Sequence, residues 1–384
     1  MTQKPTAPQI FPTGPLAGLR VIEAAGYLAG PLCAQTLATL GAEVIKIEPP
    51  AGDAYRNVGH AVGGTGVMWT NANTGKKSVV LDLKTPEDLA RLKTLIAGAD
   101  VFIETWRPRV SAALGLGFNE TSKLNPRLVQ LSLTGYGPDG PLSAEPAYDA
   151  IIQGLVGLLD YEADGGKPRA TNHFIADKVS AIYATQIILA AILQRERTGQ
   201  GVHVETSMLD MIASYAFTDT LHNRTYLDDT ADQTILPQPV VATSDGHIVL
   251  SPVTGKQLGR TLEAVGHPEW KDELKAIKGR RAMTEAFFAW IAEPISKKPS
   301  AHWLAAFREL DVPAGPILRP EAMLENPQLS HNRFFAELDS PAGRLRATRY
   351  PARFNGTLLA PRVAAPALGS DTAEVLASME SDEG

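Results

Sequence analysis

Three consecutive segments constrain the fold more than anything else in the chain: LRVIEAAG (Leu19–Gly26), GPLCAQTLATLG (Gly30–Gly41) and AEVIKIEPP (Ala42–Pro50). The first is a short apolar run ending in glycine and reads as a buried strand. The second carries Pro31 where a helix tolerates it, in the first turn, and Gly41 where a helix stops. The third is a second apolar run, closed by two prolines. Strand, helix and strand at this spacing make a βαβ unit, whose strands run parallel. The pattern repeats in SVVLDLK (Ser78–Lys84), TPEDLARLKTLIAGA (Thr85–Ala99) and DVFIETW (Asp100–Trp106). Thr85, with Asp88 three residues on, approximates a capping box. RLVQLSLTGYG (Arg127–Gly137) adds another buried strand running into a glycine loop. The expected architecture is α/β: a doubly wound, Rossmann-like parallel sheet over about the first 200 residues, with ligands at the carboxyl ends of its strands.

The texture changes after Asp210. His222–Pro239 is polar and reads as a linker. Val240–Arg308 holds a hairpin-like stretch around Asp245-Gly246 and helices rich in Trp and Phe. VPAGPI (Val312–Ile317) and the tail from Pro341 look extended, and residues 379–384 read as a frayed acidic end.

Composition narrows the function classes. A length of 384 residues suits two or three domains, or one large and one small. A net charge of −6 argues against a nucleic-acid surface. One cysteine, Cys33, excludes an intramolecular disulfide framework and fits a reducing compartment. Residues 1–15 are polar and lack the apolar core of a secretory signal. Val179–Leu193, interrupted by Ser180, Tyr183, Thr185 and Gln186, reads as too short and too polar to span a bilayer. The expectation is a soluble cytoplasmic protein with neither membrane nor nucleic acid as partner.

Several familiar sites are missing. The turn Ala25–Pro31 has no G-x-G-x-x-G, which argues against a dinucleotide cofactor. NTGKKS (Asn73–Ser78) precedes a strand, whereas a P-loop precedes a helix, and Lys77 stands where Ser or Thr belongs. The eight histidines fall at no metal-ligand spacing, and no G-x-S-x-G elbow appears. Three features are candidates. Asn73, Lys76 and Lys77 form either a solvated basic loop or a phosphate site that Arg56 of GDAYR (Gly52–Arg56) could join. Ala29-Gly30-Pro31 opens a helix whose first amides either face an anion or thioester oxygen or simply begin a helix. In HFIADKVSAIYATQIILAAIL (His173–Leu193), Asp177 stands at the mouth of a long apolar helix. It reads either as an N-cap or as an ionised nucleophile. Its apolar flanks, and the small residues Ser180, Ala181 and Ala184 that would leave space above it, support the second reading.

LAGLRVIEAAGYLAGPLCAQTLATLGAEVIKIEPPAGD, NTGKKSVVLDLKTPEDLARL, ADVFIETWRPRVSAALGLG, NPRLVQLSLTGYGPDGP, ADKVSAIYA, RERTGQGVHVETSMLD, VPAGPI and ALGSDTAEVL follow one another over nearly the whole chain. In that order they resemble the class III CoA-transferase family, which also contains the 2-methylacyl-CoA racemases. The resemblance implies an aspartate nucleophile at Asp177. It implies coenzyme A contacts at Tyr27, Leu28, Ala29, Arg56, Asn73, Lys76, Lys77, Leu81 and Lys84. Backbone amides near Ala29 and at Gly135-Tyr136-Gly137 would stabilise oxyanions. Coenzyme A and its acyl thioester enter as substrates with a carboxylic acid, and no prosthetic group or metal is expected. It further implies an interlocked homodimer, in which residues 1–221 and 321–384 build a large CoA-binding domain and residues 222–320 a small α+β domain with linkers.

The chain also departs from the family. Lys178-Val179-Ser180-Ala181 replaces a glycine usual shortly after the aspartate. SPVTGKQ (Ser251–Gln257) replaces a glycine run found in oxalate-type transferases, so oxalate is not the expected acid. Tyr148, in EPAYDAIIQGL, occupies the position of the racemase histidine, and His173 is a weak substitute base. CoA transfer to a carboxylic acid is therefore the expected activity. The alternatives are a 2-methylacyl-CoA racemase working by α-proton abstraction, and a non-catalytic CoA-binding homologue in which Lys178 fills the substrate's space.

Overall fold

The computed structural model describes residues 14–163, 166–228, 230 and 239–382. The chain divides into two compact units, Met1–His222 with Ser330–Gly384, and Asn223–Leu329. The first is built on six parallel strands: β1 (Arg20–Ala24), β2 (Glu43–Glu48), β3 (Lys76–Val80), β4 (Val101–Glu104), β5 (Val129–Thr134) and β6 (Val202–Ser207). Their spatial order is β3-β2-β1-β4-β5-β6. The chain winds outward from β1 in one direction and then from β4 in the other. That reversal places the topological switch point between β1 and β4, where open α/β sheets bind ligands. The sequence reading had not identified β6 as a strand.

Side chains alternate across the sheet and feed two cores. On one face, Val21, Val44, Ile103 and Leu131 pack under helices α1 (Ala29–Thr39) and α5 (Ile175–Thr198). Small residues on both helices, Cys33 and Ala34 against Ala181 and Ala184, let α1 and α5 pack closely. On the other face, Ile22, Ile45, Val79 and Phe102 pack under α2 (Pro86–Ala97) and the C-terminal helix Thr372–Asp382. Thr85 caps α2 by accepting from the Asp88 amide. The Asp88 carboxylate turns instead to the Asp82 amide and Arg91, so the box is half formed.

α5 is 24 residues long, longer than its apolar sequence run suggested, and by length and hydropathy could cross a membrane. It lies instead on the sheet, with Ala181, Ala184, Ile188 and Ala191 in the core. The acidic end is helical through Asp382; 383–384, like 1–13 and half of the segment read as a linker, lie outside the described residues.

The second unit is a three-stranded antiparallel sheet, Val240–Thr243, Gly246–Leu250 and Ala314–Pro316, covered by helices that bury Phe287, Ile291, Trp303 and Phe307. Its limit at Leu329 lies beyond residue 320.

Candidate active site

The loops leaving β1, β2, β3 and β4 enclose a cavity of about 490 Å³ outside the carboxyl ends of the strands. Tyr27, Leu81, Lys84, Asp53 and Trp106 are among its walls. It sits at the switch point, and its volume suits a substantial part of a cofactor-sized ligand. The turn from β1 into α1 shapes it. Tyr27 holds a left-handed backbone, φ 61°, which is uncommon for a residue with a side chain and is the kind of strain that accumulates at functional sites. Its amide is held by Asp53 Oδ1 at 3.3 Å, which also accepts from the Tyr55 amide at 3.0 Å. Gly30 must be glycine: a Cβ there would lie 2.5 Å from Ala25 Cβ and 2.9 Å from Thr105 Cγ2. α1 therefore enters with its first amides close to the cavity, and no side chain caps them. Leu28 and Ala29 are buried in that turn rather than exposed to a ligand.

Four of the basic-site candidates have their donors engaged elsewhere. β3 begins at Lys76, two residues earlier than its apolar run suggests, so both lysines lie at the strand's amino end, away from the cavity. Lys76 is buried and gives Nζ bonds to Glu23 Oε2 (2.7 Å), Asn73 Oδ1 (2.7 Å) and the Pro31 carbonyl (2.8 Å). Burial pushes it down to about 8. Asn73 is buried, and its amide donates to the Trp69 carbonyl. Lys77 pairs with Glu43 and Glu374. Arg56 is held by both Glu48 oxygens, at 2.7 and 2.6 Å, and lies 3.5 Å from the Trp69 ring centre. Asn73, Lys76 and Arg56 are corrected from phosphate ligands to a buried scaffold, and Lys77 to a partly exposed ion pair. Glu23 links Lys76 to Lys46; Lys46 bonds the Ala25 carbonyl and pairs with Asp53, which holds Tyr27. Leu81 and Lys84 do line the cavity, and Lys84 is exposed.

Asp177 is not the N-cap of α5. The helix begins at Ile175, and Asp177 is its third residue. The cap comes from Asp149, the first residue of α4 (Asp149–Leu155), whose Oδ1 accepts from the amides of Ala176 (2.7 Å) and Asp177 (3.2 Å). The Asp177 carboxylate makes no ion pair among the described residues. Burial, with the Asp149 charge in second place, pushes it up to about 7. The expectation of a fully ionised carboxylate is corrected accordingly: desolvation outweighs the helix terminus here. The space expected above it is also filled, since Ala181 and Ala184 pack into the core and Ser180 is buried with no partner for its hydroxyl. Lys178 is exposed and does not crowd the site.

Two links join Asp177 to the cavity. Ala176 shares a core cluster with Ala29, Leu133 and Tyr136. The charge of Asp177 reaches the Tyr55 hydroxyl and, after burial, helps to hold it above the usual phenol range. The Tyr27 ring lies 6.2 Å from Tyr55, tilted by 43°, and meets Tyr148 edge-on at 5.5 Å. Gly135 and Tyr136 serve the same corner. A Cβ on Gly135 would lie 2.2 Å from Ala147 Cβ, and Tyr136 donates to the Pro146 carbonyl at 3.4 Å, so both position the strand end that leads into Tyr148 and Asp149. The Gly137 amide is already taken by Thr134.

Sequence reasoning missed Asp53, Tyr55, Trp106 and Asp149. Asp53 and Tyr55 stand in GDAYR beside Arg56, Trp106 ends the strand segment DVFIETW, and Asp149 follows Tyr148 in EPAYDAIIQGL, so each was overshadowed by a neighbour or by the element it sits in.

A cleft at a Rossmann-type switch point, and near it a half-buried carboxylate that makes no ion pair among the described residues, mark the candidate site of an α/β protein. Comparison with known proteins supplies the family. The model of CoA-transferase family III matches residues 16–372, and the chain belongs to that family. It is 33% identical to the succinate–glutarate CoA-transferase of Agrobacterium fabrum over 96% of both chains. It is 34% identical to the acetyl-CoA:oxalate CoA-transferase of Acetobacter aceti, over 80% of this chain and 82% of that one. The crystal structure of a CaiB/BaiF family protein from Brucella suis superimposes with a TM-score of 0.83 at 29% identity, covering 96% of this chain and all of the other.

Proposed function

We propose that the protein transfers coenzyme A from an acyl-CoA thioester to a carboxylic acid, with Asp177 as the covalent nucleophile. The observation that carries this reading is the Asp177 carboxylate. It is desolvated, its backbone amide is fixed by Asp149, and among the described residues it has no counter-ion that would blunt it.

An Asp177 oxygen attacks the thioester carbonyl carbon. The C–S bond breaks, giving an acyl–aspartyl anhydride and CoA thiolate. The thiolate attacks the aspartyl carbonyl and expels the donor acid, leaving an aspartyl-CoA thioester. The acceptor carboxylate attacks that thioester and forms a second anhydride. The thiolate then attacks its acyl carbon, releasing the new acyl-CoA and restoring the Asp177 carboxylate. Through the two anhydride stages the thiolate is not covalently attached to the protein, so the cavity must hold CoA close. Lys84 at its wall is the cation available for CoA phosphates, and the uncapped first amides of α1 are the candidate oxyanion donors. The Agrobacterium relative, named for succinate and glutarate, makes succinyl-CoA the first donor to test.

The test is incubation with succinyl-CoA and a panel of mono- and dicarboxylic acids, followed by mass analysis of the thioesters. A new acyl-CoA with at least one acid is expected; exchange with none of them, across several donors, overturns the reading. The same incubation in D₂O without acceptor checks the isomerase alternative. That chemistry needs a second base opposite Asp177, and the racemase position holds Tyr148. No α-deuterium is expected.

A further inference from the structure

A second cavity, of about 120 Å³, lies on the sheet face opposite α5. It is roomy enough for several waters or a ligand of a few heavy atoms. Glu104 on β4, Ser132 on β5 and Glu205 on β6 are direct cross-strand neighbours at its floor. Their chain neighbours Ile103 and Leu131 point the other way, into the core under α5.

The arrangement is polar and built. Glu104 is 2% exposed, accepts from the Trp106 amide at 2.7 Å and bonds the Ser132 hydroxyl. Ser132 Oγ is 3.1 Å from His203 Nε2, and the His203 ring stacks on Phe118 with centroids 5.0 Å apart. Ser111, 7% exposed, lines the same space with a hydroxyl that has no partner. No lysine or arginine lines the cavity. A carboxyl this deep is ordinarily paired. Burial instead pushes Glu104 up to about 7, with the hydroxyl and amide pulling back and the charge of Glu205 adding to the rise. His203 Nδ1 lies 4.0 Å from Glu205 Oε2, and burial holds the imidazole below its ordinary value against the pull of the half-exposed Glu205.

We infer that this cavity binds a small organic cation, a primary ammonium of a few heavy atoms, held by Glu104 and Glu205 and by the Ser111 and Ser132 hydroxyls against the Phe118 ring. Two carboxyls repel anions, so this is not a place for the acid or thioester substrates. Among the described residues no cluster of His, Cys, Asp and Glu suits a metal ion. An uncharged alcohol would leave Glu104 without a counter-charge.

The experiment is calorimetric titration of the full chain with ethanolammonium chloride, with acetate and glycerol as controls at equal ionic strength. One saturable site is expected for the ammonium alone. Binding at pH 7 should release about half a proton, read from buffers of different ionisation enthalpy, because the ligand lowers a carboxyl that is half protonated there. Glu104→Gln should weaken binding at least tenfold, and Ser111→Val, which fills the space, should abolish it; thermal melts report that each variant is folded. The inference is overturned if no saturable heat appears, if glycerol or acetate binds as well, or if either folded variant binds like the parent.

Discussion

Asp177 and Asp149 work as a pair. One carboxylate fixes the backbone of the other and, by its charge, makes it a stronger base. A nucleophilic carboxylate must be ionised, so kcat/KM should rise with pH through about 7, the value at which Asp177 titrates. Asp149→Asn keeps an oxygen to cap α5 but removes the charge. It should move that midpoint to lower pH and raise the relative rate at pH 6; an unmoved midpoint would show that Asp149 acts only as a cap. The same value makes a stability prediction. The folded protein holds the Asp177 proton to about 7, well above the ordinary 3.8, so ionisation costs stability as pH rises between those values. Asp177→Asn should therefore melt higher than the parent at pH 8 and equally below pH 4, while losing turnover. Asp177 stands out as a candidate in the sequence because a lone acid at the mouth of an apolar helix is conspicuous. Asp149 does not, because it lies 28 residues away and only the packing of α4 on α5 brings it there.

At the scale of elements, the doubly wound sheet was readable because apolar runs, glycine stops and prolines agree with one another. The basic site was misplaced because hydrophobic periodicity does not show where a strand starts when its first residues are lysines. The two readings of Lys76 differ in outcome. As a phosphate ligand, its loss would weaken CoA binding in a stable protein. As the partner of buried Glu23, its replacement by Met should cost on the order of 1–3 kcal/mol of stability, since Glu23 Oε2 loses its donor while Lys46 still holds Oε1, and leave CoA affinity of the folded fraction unchanged. Lys84→Ala should do the reverse, raising KM for acyl-CoA about tenfold with an unchanged melt. Titration of each folded variant with CoA, paired with denaturant unfolding, separates these cases. Gly30→Ala tests the α1 entry: its Cβ meets Ala25 and Thr105, so about 1–3 kcal/mol of stability and much of the acyl-CoA affinity should go together.

The whole molecule is two units formed by a chain that leaves the sheet near His222 and returns near Ser330. A return of this kind was visible only through the family resemblance, because contacts between the two ends of a chain leave no local pattern. The same resemblance leads us to expect an interlocked homodimer. Two tagged populations mixed at micromolar concentration should then fail to exchange subunits over hours, whereas exchange within minutes would rule out threading. The central claim remains that a covalent acyl group passes through one carboxylate. The direct measurement is to incubate the intact protein with an acyl-CoA donor, trap with hydroxylamine and map the peptides by mass spectrometry. The account predicts a hydroxamate at Asp177, absent in Asp177→Asn. An unmodified Asp177 peptide under conditions of active transfer, or undiminished transfer by a folded Asp177→Asn protein whose amide has not hydrolysed, would contradict it.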